Sequence, residues 1–272
     1  MNHLFREKAP ITPAGWEEIE KEARRTLRAL LAARRVVDFK GPMGWGASDV
    51  ELGRADPIAA PANANGVQAR LRRIQPLVEL RIPFDMSRAE LDAIDRGARD
   101  PDLDAVTAAA RSIAIAEDRS IFHGYEAAQI TGICQKRAGV AVPLGASHAD
   151  YPGAVATALT RLRDDGVEGP FAVVLSEQLY KDLSARTESG YPIINHVKRL
   201  IDGEIVWAPG IDGGLVISQR GGDFELSVGQ DFSIGYLEHD AEKVRLYIEE
   251  SFTFLILTEQ AAIPLTTGGK SR

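Results

Sequence analysis

The side chains that most often do chemistry are few in this chain and widely spaced. Its five histidines are His3, His123, His148, His196 and His239, and its one cysteine is Cys134. No two histidines fall at the H-x-H, H-x-x-x-H or H-E-x-x-H spacing that aims two imidazoles at one metal ion. A lone cysteine excludes an intramolecular disulfide and any multi-cysteine metal site. A nucleophile needs a base within reach and a group to orient that base. Cys134 sits in "QITGICQKRAG" without such company, and no G-x-S-x-G elbow occurs. The triplet "EHD" at 238–240 reads as a charged surface turn. Adjacent carboxylates, Glu249 with Glu250 and Asp164 with Asp165, have no partner pattern. They read as solvated faces or subunit contacts.

The stretch "SQRGGDFELSVGQDFSIGY", residues 218–236, invites a different chemistry. A phosphate loop needs a Gly-rich turn that opens a helix, so that free N–H groups point at the anion. Here the turn is followed by "FELSV", a strand pattern. A calcium loop needs several oxygen ligands at alternating positions, and Asp223 alone does not supply them. The expectation is a β-hairpin turn in which Gly221 and Gly222 supply positive φ, with a second bend at Gly229.

The elements around these residues are legible from their periodicity. Trp16, Ile19, Ala23, Leu27, Leu30 and Leu31 fall on one face of a helix expected over 16–35, opened by Thr12 or Pro13. Arg24, Arg25, Arg28, Arg34 and Arg35 crowd its second half, the end that favours cations. Between Lys40 and Gln75 the chain is rich in Gly, Pro, Ala and Asn. It then alternates apolar and polar residues into a strand over 77–84, which suggests a projecting hairpin. A lone hairpin is marginal in water, so such an arm implies packing against another subunit. Ser87, Glu90 and Gly97 look like the cap, capping box and stop of a short helix. A longer helix follows from Leu103 to Tyr125, and another spans 151–165. "GPFAVVLS" is a buried strand, "EQLYKDLSAR" and "INHVKRLID" are helices, and most of the chain after Glu204 is strand. Runs of helices followed by runs of strands read as α+β with antiparallel pairing.

Bulk properties narrow the class. The chain has 272 residues, 44% of them hydrophobic and 26% charged, with a net charge of −7. That balance argues against nucleic-acid binding through a basic surface. No apolar run reaches the roughly 18 residues of a membrane span. The start shows no apolar stretch after its charges, so a cytoplasmic location is expected. Neither a membrane nor a nucleic acid is expected as partner.

Several segments are specific. "KAPITPAGW", "RRVVDFKGPMGW", "PLVELRIPF", "ELDAIDRG", "EDRSIFHGY", "GVEGPFAVVLS", "GYPIINHV", "SQRGGDFELSVGQDFSIGY" and "VRLYIEESFTFLILT" resemble encapsulin shell proteins, also called linocin-type bacteriocins. They occur in the same order and cover nearly the whole chain. The resemblance implies an α+β fold of the tailed-phage major capsid type (Hong Kong 97 phage type). It implies an N-terminal helix and arm over 1–45 and an extended loop over 46–80. A peripheral domain would take 81–131 and 210–265, an axial domain 132–209, and a disordered tail 266–272.

The implied function is that of a self-assembling, non-enzymatic shell, a closed icosahedral homo-oligomer of about sixty copies. It would enclose a dye-decolourising peroxidase or a ferritin-like iron-oxidising protein by binding that cargo's C-terminal targeting peptide on the inner wall. Leu27, Leu31, Arg34 and Asp38 resemble one side of the peptide groove. Asp231, Phe232, Ile234 and Tyr236 resemble the other. Thr187, Glu188, Ser189, Gly190 and Tyr191 resemble the loop that lines the five-fold pore. Some members bind a flavin through aromatic residues in the segment equivalent to "DMSRAELD". Here Ser87, Arg88 and Ala89 stand where a Trp would be, so no cofactor is expected. The alternatives are a prophage-type capsid subunit, or a bacteriocin or protease as older family labels suggest.

Overall fold

Thr12 and Pro13 open the first helix as their chemistry allows. The Thr12 hydroxyl accepts the Gly15 N–H at 3.2 Å, and Pro13 takes the first helical position, where its missing N–H costs nothing. The structure is a computed structural model that describes residues 3–145, 147–188 and 191–267. In it α1 spans Pro13–Leu30 and ends short of the expected Arg35. The reason lies on a distant helix. The buried Asp118 carboxylate accepts the N–H groups of Ala32 and Ala33 at 3.1 and 2.9 Å, which diverts them from the helical ladder. Ala33–Arg35 then form a single 3-10 turn.

The following elements are β1 (Asp38–Lys40), β2 (Asp49–Ile58), β3 (Ala69–Pro76), β4 (Val78–Ser87), α2 (Arg88–Asp95), α3 (Asp104–His123) and α4 (Ile133–Lys136). Next come β5 (Val142–Pro143), α5 (Tyr151–Asp164), β6 (Phe171–Leu175), α6 (Glu177–Ala185), β7 (Thr187–Glu188), β8 (Tyr191–Pro192) and α7 (Ile193–Lys198). The chain closes with β9 (Ile205–Trp207), β10 (Gly214–Ser218), β11 (Phe224–Val228), β12 (Ser233–His239), β13 (Lys243–Ile256) and β14 (Ala262–Thr266). Gly97, at φ +88°, stops α2 as expected. The expected capping box at its other end does not form, because the Glu90 carboxylate accepts the Asp102 N–H instead.

The first sheet is organised on β13. One edge of β13 pairs with β4, from Lys243 opposite Ser87 to Phe252 opposite Val78. The other edge pairs with β12 and then with β11. Residues 229–232 form a bulge between β11 and β12. There the Gly229 N–H donates to the Ser251 carbonyl and the Ser251 N–H to the Gln230 carbonyl. β12 is the terminal strand on that side, and β1 completes the sheet in parallel with β11. The second sheet runs β5-β14-β10-β6-β9, with two parallel pairs, β5 with β14 and β6 with β9. Pairing is therefore mixed where antiparallel pairing was expected throughout.

This topology corrects the reading of Gly221 and Gly222. The strands flanking them, β10 and β11, lie in different sheets, so the pair carries the chain from one sheet to the other and does not turn a hairpin. Both glycines have positive φ, +83° and +78°, a conformation that side-chain-bearing residues avoid. Asp38 fixes the crossing by accepting the Gly222 N–H at 2.6 Å, and Arg220 pairs with Asp223 beside it.

β2 and β3 form the projecting hairpin, from Asp49 opposite Pro76 to Ile58 opposite Ala69. Ile58, Val67, Leu71 and Ile74 are exposed along it. Two apolar cores carry the rest. One lies among α5, α6 and the second sheet, and the other among α1, α2, α3, β4, β12 and β13. β10 and β14 belong to the second sheet with β6 and β9, so that sheet draws strands from both sides of the expected boundary near 210. Thr266, expected in the tail, is the last residue of β14, and 268–272 lie outside the described residues.

Candidate functional site

A groove of about 590 Å³ opens between α1 and the outer edge of β12. Helical spacing brings Ala23, Leu27 and Leu31 to it from one side. The bulge before β12 brings Asp231 and Phe232, and the strand brings Ile234. Six of the eight expected groove residues line it: Leu27, Leu31, Arg34, Asp231, Phe232 and Ile234. Leu27 and Ile234 are only 8% and 6% exposed, so they are floor and core at once. Leu31 and Phe232 are half-buried and offer surface to an occupant.

Asp38 and Tyr236 are placed elsewhere. Asp38 pairs with Glu225 across β1 and β11 and serves the Gly222 crossing. The Tyr236 hydroxyl meets His239 Nδ1 at 2.6 Å, and its amide donates to the Leu4 carbonyl at 2.9 Å. That contact exposes an unexpected part of the site, because Leu4 and Arg6 line the groove as well. Arg6 is held by Glu20 at 2.5 Å and lies 4.1 Å over the Trp16 ring. Nothing in "HLFREK" is periodic, so only the position of Arg6 ahead of the acidic run Glu17, Glu18 and Glu20 of α1 could have hinted at it.

Beneath the lip sits a charged cluster that includes Glu250, one of an adjacent pair expected as a solvated face or a subunit contact. Glu249 and Glu250 are fully buried, not solvated. Arg34 Nε donates to Glu117 at 2.9 Å, Nη2 donates to Glu250 at 3.1 Å, and Nη1 donates to Asp231 at 2.8 Å. Its guanidinium carbon lies 4.6 Å from the Phe232 ring centroid and 5.2 Å from that of Phe39. Burial opposes the Arg34 charge, but the hydrogen bonds and charges of its carboxylate partners outweigh it and hold the pKa above the ordinary value. One guanidinium does not neutralise three carboxylates. Burial first, and then the charge and hydrogen bond of Glu117, push Glu250 well above the usual carboxylate range. That environment favours the protonated form of Glu250 in the folded chain. Asp118 is pushed up to about 8, chiefly by burial, against the two backbone N–H bonds that favour its anion. On the other face of β13, Glu249 is held by Arg81 at 2.6 Å and by the Gln230 amide at 3.0 Å.

Among the described residues the remaining candidates do not assemble a reactive centre. Burial pushes the Cys134 thiol up to about 12, which keeps it from forming the nucleophilic thiolate. His123 Nε2 accepts the Asp212 N–H at 2.9 Å. Among the described residues no three His, Cys, Asp or Glu side chains are placed to share a metal ion. Among the described residues no helix is long and apolar enough to cross a membrane. Of the expected pore loop, Thr187 and Glu188 pair with Pro192 and Tyr191 in the two-stranded β7–β8 ladder. Ser189 and Gly190 lie outside the described residues. Tyr191 is exposed, and its ring meets His196 edge-on while its hydroxyl accepts from Arg199 at 3.0 Å. In the segment compared with flavin sites, Ser87 precedes α2 without a capping hydrogen bond from its side chain, and Arg88 donates to the Asp240 carbonyl.

Comparison with known proteins agrees with the architecture. A family model described as "Encapsulating protein for peroxidase" matches residues 1–253. A type 1 encapsulin shell protein of Rhodospirillum rubrum is 56% identical over 270 residues, covering 97% of this chain and 96% of that protein. A type 1 encapsulin shell protein of Mycobacterium tuberculosis is 46% identical, covering 98% of this chain and all of its own length. Among solved structures, a virus-like particle from Pyrococcus furiosus superposes with a TM-score of 0.63 at 16% identity, over 92% of this chain and 98% of that one. The capsid of Myoviridae phage XM1 follows at 0.56 and 13%, over 88% and 92%. These structural likenesses establish a tailed-phage capsid fold. Together with the sequence relatives and the matched family, they place this chain in the encapsulin shell protein family.

Proposed function

We propose that this chain assembles with its own copies into a closed icosahedral shell and acts as container rather than catalyst. The shell would be built of about sixty subunits. It would enclose a guest protein, a dye-decolourising peroxidase or a ferritin-like iron oxidase, by holding that guest's C-terminal peptide in the groove between α1 and β12 on the inner wall. The domain division drawn from the resemblance, the pore role of residues 187–191 and the absence of a bound flavin belong to the same proposal. One observation carries it. Leu31 and Phe232, half-buried, face a groove whose floor is apolar and whose lip is charged. Apolar pockets beside fixed charges give an extended peptide both affinity and register.

The test is co-expression of the shell with a neighbouring peroxidase or ferritin-like gene, followed by electron microscopy and a count of guest per shell. Leu31→Asp with Phe232→Asp should leave closed shells that have lost their guest. Closed double-variant shells that still retain it would sink the groove assignment. Unaltered protein that stays monomeric would sink the shell. Ile234 is unsuited to this test, because its burial makes it a folding residue first.

A further inference from the structure

β12 is a terminal strand, so among the described residues one of its edges has no strand partner. Alternate residues of an antiparallel strand send their N–H and C=O to the same edge. The bond from the Tyr236 N–H to the Leu4 carbonyl shows which residues face outward: Tyr236 and, two positions earlier, Ile234. The Tyr236 position is taken by the chain's own N-terminal segment. The Ile234 position faces the groove that it lines with Leu4. A sheet edge with unpaired backbone groups is a template for a further strand. The surroundings also select the occupant. Leu31 and Phe232 flank the edge with apolar surface. Arg24 and Arg28, one turn apart on α1, line the opposite wall, are exposed, and make no ion pair among the described residues. The lining holds five arginines, Arg6, Arg24, Arg28, Arg34 and Arg35, against two acids, Glu20 and Asp231.

Resting on the reading of this groove as the guest site, we propose that it takes its occupant by strand addition. The occupant is an extended peptide that hydrogen-bonds to the Ile234 edge of β12. It sets apolar side chains at every second position against Leu31 and Phe232, and brings a carboxylate to Arg24 and Arg28. One position of that edge is already taken, by the Leu4 carbonyl on the Tyr236 N–H, just before the 3-10 turn Arg6–Lys8. The guest peptide stops against Leu4, which sets its register. His3 anchors the segment on the opposite face of the sheet, stacked on Trp45 at 4.6 Å and 3.3 Å from Glu249.

Shells reassembled with acetyl-Ser-Leu-Ser-Leu-Ser-Leu, carrying a free C-terminal carboxylate, test this by equilibrium dialysis. Backbone N-methyl groups are placed one position at a time. Methyls on alternate amides should weaken binding about tenfold, while those between should leave it within about twofold, because only one set of amides faces β12. Amidating the C-terminus should weaken binding about fivefold, and Arg24→Gln with Arg28→Gln should remove that preference for the free acid. No retention of the parent peptide, or an N-methyl scan without alternation, overturns strand addition. Equal binding of acid and amide overturns the carboxylate assignment. Guest retention by unaltered shells and its loss on Phe232→Asp are read separately, so the groove can hold guests even if strand addition fails.

Discussion

Replacing Arg34 with Met tests the charged cluster under the groove most directly. The substitution removes the guanidinium that faces Glu117, Glu250 and Asp231. Asp231 is 44% exposed, and its lost pair costs little. Burial and Glu117 already favour the acid form of Glu250. Glu117, with no exposure at all, is left with only the Glu250 carboxyl beside it. Its cheapest escape is to take up a proton. Starting from an unfolded-state carboxyl that ionises near pH 4.3, that uptake costs about 4 kcal/mol at pH 7.5 and about 1 kcal/mol at pH 5. The sign follows from proton binding. In the variant the folded state binds a proton that the unfolded state releases, so stability present below about pH 4.3 is lost as pH rises. Glu250 interacts with both Glu117 and Arg34, so the difference between the two proteins reports the carboxyl pair as a unit. Guanidinium unfolding at equal chain concentration, followed by tryptophan fluorescence at pH 5 and pH 7.5, reads that difference. Adding Glu117→Gln should restore most of the loss at pH 7.5, because the amide carries no charge. An equal loss at both pH values, or no rescue by Glu117→Gln, would refute the reasoning.

Two further outcomes follow from the same geometry. Glu250→Gln imitates the protonated side chain, whose folded pKa is raised. The unaltered chain loses stability as pH climbs above the ordinary carboxylate value, so the variant should unfold at higher denaturant at pH 9, with the gap shrinking toward pH 5. A gap that does not change with pH would show that Glu250 is not the proton holder. Gly235→Ala places a Cβ 2.2 Å from Cζ of Tyr247, a buried ring with Arg81 stacked 4.3 Å over it. The overpacking should cost about 1–3 kcal/mol, seen as a lower unfolding temperature, and an unchanged temperature would mean that the ring turns aside freely.

Much of the fold was legible because it is periodic. The α1 face appears in the spacing from Ile19 to Leu30, and the arm in its alternation and its Gly/Pro content. What was misread depends on partners distant in sequence. Gly221 and Gly222 give the same local signal whether their flanking strands share a sheet or not. The end of α1 is decided by Asp118, more than eighty residues away. Glu249 and Glu250 look like a solvated pair until Arg81 and Arg34 are brought to them from distant segments. The groove was found through resemblance. Its residues Leu4 and Arg6 were missed because a short irregular segment has no period to read.

The arm hairpin and the groove are joined by β13 in a way that bears on mechanics. Only Leu77 separates β3 from β4, and β4 lies along β13 through ten consecutive residue pairs. Hydrogen bonds in such a ladder run across the strands. A pull on the arm directed along β4 therefore loads the whole ladder in shear, sharing the force over many bonds instead of unzipping them in turn. β13 passes that load to β12, the strand that borders the groove, so tension borne by the hairpin is felt as strain at the peptide's seat.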